Sequence, residues 1–208
     1  MSKLFPHTSP GSILALAIAW YTLSIAGCSV LRSEFWDPPE SQYVDEGQLK
    51  LQGYYAREWI SHGANVLSTL MLWEDGTAAA FVVGGNPCGR DEAKHEDHSF
   101  QAQHRRFREN LRCITGERNR RNPAWGVFAV VGDSIEIHVI THLNYGGSGE
   151  HRPLVDKGVI LSDSTFKITS SILRGSGPPR DRDETFQFFP LEEKPPSTNW
   201  TQTHPDLQ

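Results

Sequence analysis

The sequence predicts a mainly β fold, an antiparallel barrel or half-barrel of about eight strands with one inserted α-helix. Short runs rich in β-branched and aromatic residues recur along the chain and are separated by turn residues, a pattern typical of hairpins. A stretch of good helix formers after the third run predicts the helix. Sequential hairpins form a meander, and closing a meander into a barrel removes the exposed strand edges.

Eight segments carry the strand pattern, and three pairs of them flank a short polar turn. The turns are Glu74-Asp75-Gly76, Gly132-Asp133-Ser134 and Ser162-Asp163-Ser164. Asp-Gly between apolar runs is among the strongest hairpin signals. The predicted strands are Leu49–Trp59, Val66–Trp73, Thr77–Val83, Trp125–Val131, Ile135–Leu143, Leu154–Leu161, Thr165–Leu173 and Thr185–Leu191.

The insertion over residues 86–122 departs from the strand pattern. Asp91–Ile114 is rich in Glu, Lys, Arg, Gln and Ala, which favour helices. We expect the helix to pack as a lid or plug on one end of the barrel, and a membrane-surface helix is the alternative because four arginines lie nearby. One stripe of residues recurs at spacings of three and four: Phe100, His104, Phe107, Leu111 and Ile114.

The first 28 residues have the three parts of an export signal. Lys3 provides the positive charge, the apolar run extends from Ile13 to Leu23, and small residues precede Cys28. This run is too short for a transmembrane helix, which needs about 20 consecutive apolar residues. The alternatives are a plain secretory signal cut before an ordinary cysteine and a buried core helix.

The end of this segment, Ile25-Ala26-Gly27-Cys28, resembles the lipobox of bacterial lipoproteins. The resemblance implies that residues 1–27 are a signal peptide and that Cys28 becomes the lipidated, palmitate-bearing N-terminus. It also implies a protein of the bacterial cell envelope, held at the membrane by its lipid anchor. In that family an aspartate after the cysteine favours the inner membrane, so Ser29 implies the outer membrane.

The remaining chain divides into a tether, one β domain and a tail. Residues 28–47 contain Pro38-Pro39 and no apolar period, which predicts a flexible tether. The β domain spans residues 48–200, and residues 201–208 form the tail. Removal of residues 1–27, which contain Lys3 and no acidic residue, leaves 25 acidic and 19 basic residues and a net charge of −6. This charge argues against a nucleic-acid partner.

The strand pattern resembles the lipocalin-like domains of small outer-membrane lipoproteins. Lipocalins open their first strand with a glycine followed two residues later by tryptophan, and this chain has Gly53-Tyr54-Tyr55, with tyrosine in that place. Trp73–Thr77, Trp125–Phe128 and Ser197–Trp200 add to the likeness, which covers about residues 49–200. These motifs are not specific to any chemistry.

Cys88 and Cys113 bracket the predicted helix. An exported domain lies in an oxidising compartment, where two thiols commonly pair, so we expect a disulfide between them. Two buried thiols and half of a metal site are the alternatives.

The sequence contains no Gly-x-Ser-x-Gly elbow, His-Glu-x-x-His helix or P-loop, so we expect neither an enzyme nor a bound cofactor or metal. His138 and His142 lie four apart on a predicted strand, and this face is expected to point into the barrel. The candidate ligand pocket consists of Tyr55, Trp73, Phe128, His138 and His142.

Two functions remain open. The barrel binds a small apolar ligand, since an eight-stranded barrel has room for one, or it is a filled scaffold of an assembly protein that binds another envelope protein. The inward side chains decide between them. Trp73, Phe81, Phe128 and Phe166 would fill the barrel, whereas Ala78 and Ala80 would leave space.

Overall fold

The chain forms a closed barrel of eight antiparallel strands that pair in chain order, with one helix among the residues that the structure describes. The computed structural model describes residues 48–83, 97–115, 124–145 and 148–197. The predicted β-barrel with one helix is therefore confirmed. The elements are β1 (Gly53–Ser61), β2 (Ala64–Leu72), β3 (Thr77–Val83), α1 (Phe100–Ile114), β4 (Ala124–Val131), β5 (Ser134–Tyr145), β6 (Ser148–Ser162), β7 (Thr165–Leu173) and β8 (Arg180–Pro190).

Several predicted features lie outside the described residues. They are the signal peptide over 1–27 with Cys28, the tether over 28–47, Cys88 in the insertion, and the tail over 201–208. Residues 97–115 are the described part of the insertion.

Short turns connect the hairpins where the sequence places turn residues. Gly76 has a φ of 78°, and the Asp75 carboxylate accepts a hydrogen bond of 2.9 Å from the Thr77 amide. His62 and Gly63 join β1 to β2, with φ angles of 49° and 80°. Positive φ at both central residues is the geometry of a type I′ hairpin, whose twist matches that of the flanking strands.

The inner face of the barrel is packed with aliphatic and aromatic side chains. Every strand contributes to one apolar cluster, which identifies this face as the interior of the ring. The Tyr55 ring lies 4.9 Å from the Phe166 ring and 5.3 Å from the Phe188 ring, and Phe166 stacks on Phe186 at 5.3 Å between centroids. Tyr55, Phe128 and Phe166 are fully buried.

Gly53 permits the close packing of β8 on β1. A Cβ atom at this position would lie 2.3 Å from the backbone oxygen of Phe189 and 2.5 Å from the ring of Phe188. Both distances are far below van der Waals contact, so a larger residue here would force the two strands apart. The glycine that carries the lipocalin resemblance thus has a direct steric role in closing the barrel.

Helix α1 begins after Ser99, whose hydroxyl accepts a hydrogen bond of 3.2 Å from the Ala102 amide. Such an N-cap satisfies an amide that lacks a partner within the helix. At the other end, the Thr115 amide and hydroxyl both donate to the Leu111 carbonyl, at 2.9 and 2.8 Å.

The helix packs on the outer wall of the barrel, so the expectation of a lid or plug on its end is wrong. Phe107 lies 4.8 Å from the Tyr54 ring and 5.6 Å from the Phe81 ring. Tyr54 and Phe81 alternate with residues of the inner cluster and therefore point outward. Phe107 and Leu111 are 1% and 5% exposed, so the barrel covers the stripe that a membrane would otherwise cover.

Replacing Phe107 by Ala should destabilise the fold by about 3–5 kcal/mol, because it removes a buried ring that packs on strands β1 and β3. Chemical denaturation with fluorescence detection measures this loss. Gln101→Ala, at an exposed position of the same helix, serves as the control and should change stability by less than about 0.5 kcal/mol. Equal effects of the two substitutions would contradict the packing of α1 on the barrel.

Candidate functional site

The two ends of the barrel differ. The lower end carries the turns β2–β3, β4–β5 and β6–β7, and the upper end carries the turn between β1 and β2. At the lower end Leu49 is buried, and the hydroxyl of Tyr55 donates to the backbone oxygen of Asp163 at 3.0 Å. Lys50 also forms an ion pair of 3.0 Å with Asp163. These contacts tie the segment that precedes β1 across the lower end.

The C-terminal segment reinforces this closure. The ammonium of Lys194 donates to the backbone oxygens of Leu51 and Leu72 and lies 4.8 Å from the centre of the Trp73 ring. The indole nitrogen of Trp73 donates to the Pro195 oxygen at 3.0 Å. Burial lowers the pKa of Lys194 to about 8. The last described residues are therefore held beneath the barrel.

At the upper end the first and last strands separate. The registered pairs of β1 with β8 run from Gly53↔Pro190 to Ala56↔Gln187, although both strands continue beyond them. Just above the last pair, the Arg57 guanidinium forms an ion pair of 2.8 Å with Glu184. At this level an ion pair between side chains connects β1 and β8, in place of backbone hydrogen bonds.

The inner face becomes accessible toward the upper end. Along β3 the inward side chains are Ala78, Ala80 and Val82, and their exposure rises from 0% at Ala78 to 70% at Val82. On β1 the inward residue Tyr55 is 1% exposed, whereas Trp59 is partly exposed. On strands β1 and β3 the inner wall is therefore accessible toward the upper end, whereas the inward Val139 of β5, which pairs with Leu154, is 1% exposed.

We call this region the upper inner face. Its apolar and polar side chains come from strands β1, β2, β3, β6, β7 and β8. Because side chains alternate along a strand, they point to the same side as the inner cluster. Its members are Arg57, Trp59, Ser68, Val82, Leu154, Asp156, Ser171, Arg182 and Glu184.

Polar contacts order the upper inner face. The Trp59 indole nitrogen donates to the Ser68 hydroxyl at 3.1 Å, and the Arg57 guanidinium lies 5.2 Å from the Trp59 ring centre. The Ser171 hydroxyl donates to the Asp156 carboxylate at 2.5 Å. Burial raises the pKa of Asp156, and the charge of Glu184 acts in the same direction, while the Ser171 hydrogen bond and the charge of Arg182 oppose it.

The five predicted pocket residues do not form one cluster. Tyr55 and Phe128 both belong to the inner cluster. Trp73 belongs to the outer cluster with α1 and stacks on Trp125 at 5.5 Å. His142 pairs with His151 through the backbone, and its side chain lies outside the described part of the chain.

His138 also differs from its expected place in the pocket. It lies between Ile137 and Val139, which both point into the barrel, so its ring is on the outer face. There it shares a hydrogen bond of 2.5 Å with Glu136. The period of two correctly predicts that alternate residues of β5 share a face, but the face that carries His138 is the outer one.

A chain of three polar side chains joins the helix to the barrel. The Tyr54 hydroxyl lies 2.7 Å from His104 Nδ1, and His104 Nε2 lies 3.0 Å from a Glu58 carboxylate oxygen. Burial raises the pKa of Tyr54 to about 12 and lowers the pKa of His104. Tyr54 and His104 are 0% and 5% exposed, so these two side chains link the helix to the barrel and are not accessible to a substrate, whereas the Glu58 side chain is 43% exposed. The signal for it in the sequence is a histidine within an apolar stripe.

Cys113 is not a free thiol. It lies near the C-terminal end of α1 and is partly buried. Because Cys88 is outside the described residues, the Cys88–Cys113 bond stays a prediction.

Among the described residues, no group of three His, Cys, Asp or Glu side chains converges to hold a metal ion. None of the helical structure within these ranges has the length and apolar character required to cross a membrane. Comparison of the chain with protein family models, curated proteins and solved structures finds no match.

The Tyr54–His104–Glu58 chain predicts a loss of stability on acidification. The folded state holds the pKa of His104 below its ordinary value of 6.5, so the unfolded chain binds the proton more readily. The contribution of His104 is fully present above pH 6.5 and is lost as the pH falls through its lower folded pKa. Glu58 opposes this shift from β1, and Arg108 adds to it from the helix.

The free energy of unfolding, measured between pH 7.5 and 5, should fall less in His104→Gln than in the unaltered protein, because glutamine keeps polar contacts without titrating. The control is His62→Asn in the exposed β1–β2 turn, which should leave the pH dependence unchanged. An identical pH dependence in His104→Gln would show that His104 does not govern it.

Proposed function

We propose that this chain is a lipid-anchored protein of the bacterial outer membrane that binds a small, largely apolar ligand inside the upper part of its barrel, without catalysis. The observation that supports this proposal is the solvent exposure of the inner face near the upper end. Val82 points inward and is 70% exposed, whereas Tyr55 and Phe166, lower on the same face, are buried. A ligand that covers such residues gains about 25 cal/mol for each Å² of apolar surface removed from water.

The aromatic cluster limits the size of this ligand. Tyr55, Phe128, Phe166 and Phe188 fill the lower and middle barrel, so the ligand occupies the space above them. Eight-stranded barrels enclose little more than their own side chains or one small molecule. A short apolar body fits this geometry better than a long acyl chain.

The anchoring rests on the sequence. The lipobox resemblance at Ile25-Ala26-Gly27-Cys28 supports lipidation at Cys28, and Ser29 supports the outer membrane. The same compartment supports a disulfide between Cys88 and Cys113, in agreement with the absence of a free thiol at Cys113.

A second function, assembly with another envelope protein, is favoured by a different observation. Val131, Val159 and Leu161 are 78%, 38% and 58% exposed. They lie at the lower ends of β4 and β6, and Val131 and Val159 flank the same residue, Ser134, in the strand register. A group of exposed apolar side chains of this kind is typical of a contact surface.

Binding inside the barrel can be tested with two tryptophan substitutions at similarly exposed positions. Val82→Trp should weaken binding of the neutral fluorescent probe N-phenyl-1-naphthylamine at least tenfold, because the larger ring narrows the upper inner face. Ile60→Trp is the matched control, since Ile60 is 68% exposed and points outward on β1. Fluorescence titration measures both affinities. Probe binding that is equally insensitive to both substitutions would place the probe outside the barrel and contradict the proposal.

The anchor can be tested separately. Cys28→Ser should move the protein from the membrane pellet to the soluble envelope fraction, because the lipid has no attachment site without the thiol. Immunoblotting of the two fractions measures the change, and Cys88→Ser provides the control. Continued membrane association of Cys28→Ser would disprove the lipobox assignment while leaving the binding proposal untouched.

A further inference from the structure

Asp156 is an inward-facing carboxylate in the wall of the barrel. In the strand register it lies between Ile137 of β5 and Ser171 of β7, which are 2% and 5% exposed. The Ser171 hydroxyl occupies one carboxylate oxygen, Oδ1, at 2.5 Å. The second oxygen is the one available to another partner.

Within the described ranges, no cation lies at ion-pair distance from Asp156. Glu184, which also points inward, differs from Asp156 in this respect, because Arg57 binds its carboxylate at 2.8 Å and Arg182 binds it at 3.1 Å. These two guanidiniums are therefore already committed to Glu184. Asp156 is partly buried, and removing a carboxylate from water without a paired cation costs free energy, so such groups are concentrated at functional sites.

The depth of Asp156 suits the end of a ligand. Ile137, its neighbour on β5, pairs on its other side with Phe128, so Asp156 lies at the level where the aromatic cluster ends. Leu154 is the next inward residue toward the upper end, about 7 Å away along the strand. A molecule entering from above would reach Asp156 with its leading group and leave its apolar part against Leu154 and Val82.

We infer that Asp156 is the counter-ion for a primary ammonium group and that the ligand of this barrel is a short apolar amine, an inference that rests on the proposed function. With one carboxylate oxygen held by Ser171, the site offers a single-point contact. An ammonium is a compact point charge that such a contact satisfies, whereas a guanidinium prefers two parallel hydrogen bonds to both oxygens. An anionic ligand would meet the like charge of Asp156, whereas the charge of Glu184 is already paired with Arg57 and Arg182.

The test uses three probes of equal chain length, hexylamine, 1-hexanol and hexanoate, each competing with N-phenyl-1-naphthylamine for the full chain carrying Cys28→Ser. Hexylamine should displace the neutral probe at a concentration at least tenfold lower than hexanol, and hexanoate should be the weakest. This order of the three probes needs no variant of the site. Equal displacement by the amine and the alcohol would overturn the inference while leaving the proposed function standing.

Asp156→Asn supplies the second arm, because it removes the charge and keeps the shape. The advantage of hexylamine over hexanol should disappear in this variant, with the affinity for hexanol unchanged. The matched control is Asp183→Asn, where the carboxylate is 82% exposed and pairs with Lys167 at 2.6 Å. An amine preference that survives Asp156→Asn would overturn the inference. Failure of the neutral probe itself to bind would overturn the proposed function and the inference together.

Discussion

The pairing of β8 with β1 is the constraint on which the rest of the structure depends. Four registered residue pairs, from Gly53↔Pro190 to Ala56↔Gln187, convert a meander into a ring. Because the ring is closed at this level, alternate side chains of every strand have a defined inside and outside. Gly53 makes the closure possible, since any side chain there would collide with β8. The upper parts of the same two strands lack this ladder, and Arg57 and Glu184 join them through side chains.

Two consecutive tyrosines on β1 show what the closure achieves. Tyr55 points inward and packs on Phe166 and Phe188, while Tyr54 points outward and contacts Phe107 of the helix. Both side chains are almost completely buried. The first strand therefore stabilises two apolar clusters at once, one within the ring and one beneath α1. Hydrogen bonds from Tyr54 through His104 to Glu58 make the packing of the second cluster specific. They favour one rotation of the helix about its axis against the outer face of the barrel.

Much of the fold follows from local sequence signals. Predicted bounds match the structure at Thr77–Val83 and Thr165–Leu173, and the Asp75-Gly76 turn lies where hairpin chemistry requires it. The sequence does not predict the His62-Gly63 turn, because only its glycine is typical of such turns.

The inward and outward faces of the strands are less clear from the sequence. Apolar residues cover both faces of β1 to β3, since the helix buries the outer one, so a period of two does not reveal which side faces inward. For that reason the sequence predicts Trp73 in the pocket and the helix on the end of the barrel. On β5 the same ambiguity arises for His138, because Ile140 shares its outer face and is 6% exposed. Asp156 on β6 and Glu184 on β8 come close enough for their charges to interact because both strands pair with β7. No local sequence pattern encodes this pairing.

The route of the chain gives the barrel a direction. Leu49 enters beneath the ring, and the segment around Lys194 and Pro195 leaves along the same side, fastened to Trp73 and to the backbone at Leu51. A lipid attached ahead of the first strand would therefore join the domain on the side of its sealed base, and the accessible part of the inner wall would lie at the opposite end. A ligand dissolved in water would reach this end without passing the point of attachment. This arrangement suits a small amine that diffuses through water and binds a carboxylate inside the barrel.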